Sequence, residues 1–228
     1  MKIRVLFEIV FDLIYLIGVI ILGILMIRDS RGNKQFRLFG IMAVTLGAGD
    51  AFHLVPRIYA LSTTGLENFA VPLGIGKLIT SVTMTVFYVL LYYVWRLRYG
   101  ISGKSGLTAA IWILATVRII LCFCPRNQWL NPDPSLLWRI LRNIPFTLMG
   151  LLLIILFENS VRQNQDRAFR FTGLTIVLSF AFYLIVVLFE SQYPQIGLLM
   201  IPKTCAYIWT VLIGYSDMKR SQKNEKIY

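Results

Sequence analysis

VLFEIVFDLIYLIGVIILGILMI, residues Val5–Ile27, is an apolar run broken by only two carboxylates, Glu8 and Asp12. At about 1.5 Å per residue it is long enough to cross a bilayer core of roughly 30 Å. The preceding Met1-Lys2-Ile3-Arg4 gives the run the look of a signal peptide. Glu8 and Asp12 interrupt it, however, and no small-x-small cleavage site follows Ile27, so it reads as a retained helix.

Outward from this run the pattern repeats. Further apolar stretches predict helices over about 38–60, 72–95, 106–124, 136–157, 171–189 and 194–215. Breaker-rich joints separate them, such as Asp29-Ser30-Arg31-Gly32-Asn33, Gly100-Ile101-Ser102-Gly103 and Asn131-Pro132-Asp133-Pro134. The expected fold is an all-α integral membrane protein, a single seven-transmembrane-helix bundle over 1–228, with 216–228 as a short basic cytoplasmic tail. Composition agrees: 57% of the residues are hydrophobic and only 15% charged, against about a quarter charged in soluble domains. Nothing is left over for a separate soluble domain.

The net charge of +12 invites a nucleic-acid reading. The placement of the basic residues excludes it, because they cluster at helix ends, where they act as orientation signals. The first, third and fifth joints and the tail hold fourteen Lys and Arg, and the opposite side holds three, Lys2, Arg4 and Arg126. This asymmetry predicts an outside N-terminus and a cytoplasmic C-terminus, in a multi-pass protein of the plasma membrane. Cys122, Cys124 and Cys205 form no metal or redox spacing and read as small core residues.

The informative residues are the charged ones inside the runs, because each is costly at the bilayer centre, by about 2.5–3.5 kcal/mol on insertion scales. They are Glu8 and Asp12 on helix 1, Asp50, His53 and Arg57 on helix 2, Lys77 on helix 3, Arg118 on helix 4, Arg139 and Arg142 on helix 5, Glu190 at the end of helix 6, and Lys203 on helix 7. On the predicted topology all lie in the outer half or near the midplane, which implies a shared polar cavity open to the outer face. Asp50, His53 and Arg57 share a helix face at spacings of three and four, and Gly47 and Gly49 let a neighbouring helix come close. Lys203, Tyr207 and Thr210 share a face of helix 7, Asn143 adjoins Arg142, and Tyr15 lies on the Asp12 face.

Buried ion pairs, Asp50 with Lys203 and Asp12 with Lys77, are a competing structural reading. The set as a whole has more bases than acids, which calls for an anion: a carboxylate, a phosphate or a lipid headgroup. The expected ligand contacts are Arg57, Lys77, Arg118, Arg139, Arg142, Asn143, Lys203 and Tyr207, with Glu8, Asp12 and Glu190 in support. The expected partners are membrane lipids and such an anion. An alternative is a lipid-modifying or hydrolytic enzyme with His53 as general base oriented by Asp50, and another is a carrier for an organic anion. No metal or other cofactor is expected, since His53 is the only histidine and lacks a ligand set.

Two partial resemblances follow from these residues. A lysine on helix 7 of an N-outside seven-helix chain is similar to microbial rhodopsins, which implies a retinal-binding lysine. Helix 3 carries Lys77 where those proteins place carboxylates. Asp50 and His53 on helix 2 resemble the seven-helix hydrolases of the alkaline ceramidase and adiponectin-receptor type, which implies zinc. Helix 7 here has no histidine, and the likeness covers only a few residues.

Overall fold

A computed structural model describes residues 3–63, 65–131, 134–190 and 192–225. They form seven α-helices: α1 (Ile3–Arg28), α2 (Lys34–Ser62), α3 (Ala70–Arg98), α4 (Ser105–Phe123), α5 (Leu136–Asn164), α6 (Thr172–Phe189) and α7 (Met200–Glu225). Short 3₁₀ turns at Leu66–Phe69, Pro125–Asn127 and Pro194–Leu199 precede α3, follow α4 and precede α7. No strand occurs among the described residues. All seven helices are long and apolar enough to cross a membrane. Helices suit that solvent because they satisfy every backbone polar group internally. The outward faces are apolar too: on α1, Ile14, Ile17, Ile21 and Ile24 are exposed. A contiguous stripe of that kind is rare on a soluble monomer.

The joints show why the helices stop where they do. Arg31 and Gly32 take positive φ after α1, and the Asn33 side chain then accepts from the backbone N–H of Gln35 and Phe36 to start α2. Gly100, Gly103 and Lys104 turn the chain between α3 and α4 in the same left-handed region, which glycine enters without steric cost. Of the predicted 131–134 joint, Pro132 and Asp133 lie outside the described residues.

Each helix packs against its sequence neighbours, and α7 closes the ring on α1. In addition α3 touches α5, and α2 touches α7. The α1–α2 contact is tight because Gly23 meets Gly40: a Cβ on Gly40 would lie 2.6 Å from the Gly23 carbonyl oxygen. Gly47 faces Ile20 of α1, and Gly49 faces Thr83 of α3. The central core is aromatic. Tyr88 packs edge-on against Phe146 and Phe180, and Phe87 against Tyr207.

Several elements run differently from the sequence expectation. α5 continues to Asn164 instead of ending near Phe157, because Phe157 and Ser160 stay buried and the Trp95 indole donates to Ser160. The stretch from Pro194 to Leu199 is a 3₁₀ turn, and α7 begins at Met200. Pro202 therefore falls in the first turn of α7, where a missing N–H costs nothing. It does not free a mid-helix carbonyl. At the other end α7 runs through 216–225 as helix, so most of the expected tail is structured. There Lys219 pairs with Asp29 at 3.2 Å and the Gln222 amide donates to the Asp29 carbonyl at 2.6 Å.

Candidate functional site

The acidic residues gather on α1 and α2. Glu8 and Asp12 are one turn apart on α1 and both are buried, on a helix whose other faces are largely exposed. Glu8 accepts from Arg57 Nε at 2.6 Å and forms an ion pair with its guanidinium. Asp50 accepts from the Tyr15 hydroxyl at 2.6 Å. Tyr15 thus reaches across to α2, although it shares a face of α1 with Asp12. Asp12 is 7% exposed and makes no hydrogen bond or ion pair among the described residues.

His53 lies where α2 crosses α3. Its Nδ1 donates to the Leu73 carbonyl at 3.3 Å, which places the proton on that nitrogen because a carbonyl only accepts. Gly76 allows the approach, since a Cβ there would lie 2.6 Å from His53 Cα. No hydrogen bond joins Asp50 to His53. The two share a helix face, but each is held by a different partner.

The basic residues gather on α4, α5 and α7. Arg118 is the most confined of them, at 2% exposed. Its guanidinium carbon lies 3.3 Å from the Phe146 ring centroid. Its Nε and Nη1 are buried without a hydrogen-bond partner, and the neighbouring polar side chain is the Cys122 thiol, one turn along α4. A thiol is a weak acceptor for a guanidinium with five N–H donors. Arg142 Nη1 donates to Asn127 Oδ1 at 2.9 Å and its guanidinium stacks on Trp129 at 4.0 Å. Lys203 Nζ lies 5.0 Å from the Tyr183 ring centroid and 5.4 Å from that of Tyr207. Cations over aromatic faces are attracted by the ring quadrupole, but the rings bring no counter-charge.

Asn143 uses both ends of its amide within the protein. It donates to the Arg139 carbonyl at 2.8 Å and accepts from Tyr183 at 2.9 Å. It therefore braces α5 against α6. Arg139 is buried beside it. Glu190 is half-buried at the end of α6, and its carboxylate lies near Gly197. The expected pairs do not form. Lys77 is exposed and has no ion pair with Asp12, and Asp50 and Lys203 lie within each other's field without a direct contact. The structure thus divides the predicted constellation into an acidic α1–α2 side and a basic α4–α5–α7 side.

Two supporting residues were not singled out from the sequence. Asn127 is 0% exposed and its amide nitrogen donates to the carbonyls of Leu121, Cys122 and Cys124, so it caps the end of α4. The Trp129 indole donates to the Cys122 carbonyl at 2.8 Å. Together they fold the α4–α5 joint down over Arg142. The signal was an asparagine just past a helix end followed by tryptophan, in Cys124-Pro125-Arg126-Asn127-Gln128-Trp129.

A second polar group lies at the opposite end of the bundle. Arg98 of α3 donates from Nε and Nη2 to Asp166 at 2.9 and 3.1 Å, and from Nη1 to Asp217 of α7 at 2.6 Å. Tyr99 also donates to Asp166. Burial raises the Asp166 carboxyl, but the Arg98 and Tyr99 hydrogen bonds, the Arg98 charge and the Phe169 N–H outweigh it and hold the group below the usual carboxylate range. A cleft of about 530 Å³ opens beside this clamp, lined by Arg98, Tyr99, Asn164, Gln165, Asp166 and Arg167.

Among the described residues no group of three His, Cys, Asp or Glu is placed to hold a metal ion. Comparison with known protein families, curated proteins and solved structures returned no match.

Proposed function

We propose that this membrane protein binds an anionic group, a carboxylate, phosphate or lipid headgroup, among Arg118, Arg142 and Lys203. Arg118 is the observation that carries the reading. A buried guanidinium with unmade hydrogen bonds costs more than ordinary polar burial, and in a membrane such residues usually serve function. An anion between α4, α5 and α7 supplies the missing acceptors. The excess of Lys and Arg on one set of joints supports the orientation, with the N-terminus outside and the C-terminus cytoplasmic. On that topology the anion enters the outer half of the bundle from a plasma-membrane-type bilayer or its outer face.

The hydrolytic alternative needs Asp50 to orient His53, and Leu73 holds His53 instead. The carrier alternative needs an inner opening, and there Arg98 ties α3 to α7. Binding is therefore the reading with positive support. The test is thermal unfolding of the purified protein titrated with inorganic phosphate and with acetate. A binding anion raises the midpoint with concentration, by about 2.7 kcal/mol at a hundredfold excess over Kd. The Arg118→Gln variant is expected to lose that rise. An equal response in both proteins contradicts the proposal.

A further inference from the structure

The acidic side raises a question that an anion alone does not answer. Asp12 is 7% exposed and unpartnered, as Arg118 is at 2%. Opposite buried charges normally neutralise each other, and these do not because the fold keeps them apart. α1 packs against α2 and α7, while α4 packs against α3 and α5. Neighbouring charges are already committed. Glu8 is taken by Arg57, and Asp50 by the Tyr15 hydroxyl. The charged groups form an ordered series across the bundle. Asp12 lies within the field of Asp50, Asp50 within that of Lys203, Lys203 within that of Arg118, and Arg118 within that of Arg142. The series is acidic at one end and basic at the other.

The geometry points to a ligand that carries an amine cation as well as its anion, with the amine toward Asp12 and Asp50 and the anion toward Lys203 and Arg118. This inference rests on the proposed anion site and specifies its occupant. A purely anionic ligand at Arg118 and Lys203 is repelled by two carboxylates on the far side, whereas an amine on the same ligand turns that repulsion into attraction. Electrostatic complementarity of this kind selects between ligands of equal size. Both a free phosphoamine and the headgroup of an aminophospholipid have this chemistry.

The test uses two matched pairs that differ only in the amine. Ethyl phosphate and O-phosphoethanolamine are the soluble pair. Phosphatidylethanol and phosphatidylethanolamine are the lipid pair, added to the full-length protein in maltoside micelles. Binding is read by native mass spectrometry and by thermal shift. The amine-bearing member of one pair is expected to bind about tenfold tighter, or ~1.4 kcal/mol, and the pair that does so identifies a free or a lipid source. Asp12→Asn is expected to bring the two affinities together. Equal or tighter binding of the amine-free members to wild type overturns the inference and leaves the anion site standing. Failure of all four to bind overturns the anion reading and the inference with it. The wild-type comparison decides the matter even if the variant does not fold.

Discussion

Arg118 and Arg142 are both buried arginines of the same cluster, yet their side chains are held very differently. Arg142 has a hydrogen-bond acceptor in Asn127 and a stacking partner in Trp129. Arg118 has only the Phe146 face and the Cys122 thiol. Replacement by leucine should therefore act in opposite directions. Arg142→Leu leaves the Asn127 carbonyl unpaired and is expected to destabilise by about 1–3 kcal/mol. Arg118→Leu removes an unsatisfied buried charge and is expected to stabilise the ligand-free protein, raising the midpoint by about 2–4 °C for each kcal/mol gained. A stabilising substitution that abolishes binding is the usual mark of a site held for function. Thermal unfolding of the two variants without added anion measures both signs. Residue chemistry of this kind was partly legible in advance. That Arg118 and Lys203 are anomalous follows from hydropathy alone, because a charge in an apolar run needs no structure to be recognised. Their partners were not legible. Whether Asp50 meets Lys203, His53 or Tyr15 depends on how α1, α2 and α7 are rotated against one another, and spacing along one helix does not fix that.

At the scale of elements, the helix ends carry their own information. α3, the α5–α6 joint and α7 are tied by Arg98 through Asp166 and Asp217. The pairing is only partly exposed, with side-chain exposures of 22% for Arg98 and 8% for Asp166. Arg98→Gln leaves two carboxylates facing each other and is expected to cost about 2 kcal/mol, less than the 3–5 kcal/mol of a fully buried pair. The clamp also sets a pH dependence. Asp166 lies below its ordinary value in the folded protein, so its contribution is complete above about pH 4 and is lost as the pH falls further, through the folded value. Asp166→Asn should flatten that acid limb of the unfolding profile, and an unchanged limb would show that Asp166 does not contribute. From the sequence, Arg98 counted only toward orientation and Asp166 toward nothing. Their pairing spans 68 residues of chain, and no local pattern announces it. The longer α5 and α7 escaped notice for a related reason. Hydropathy marks where a helix leaves the apolar core, whereas the helix itself continues until its backbone is capped, at Gln165 in the case of α5.

For the whole molecule, the seven helices were readable because membrane spanning is a local property of length and composition. The orientation rests on the same kind of local count. A fluorescent or enzymatic reporter fused after Tyr228 is expected to be active only on the cytoplasmic side, and activity outside would invert the bundle and the side from which the anion enters. What emerged only from the fold is the polarity across the bundle, acids on α1 and α2 and bases on α4, α5 and α7. The central claim is that the basic side holds an anion. Its most direct measurement is mass spectrometry of the lipids and metabolites that co-purify with wild type and with Arg118→Gln. The account predicts one anionic species in wild type at near-stoichiometric amount, and its loss from the variant. The same profile in both proteins, or no retained anion in wild type, would contradict it.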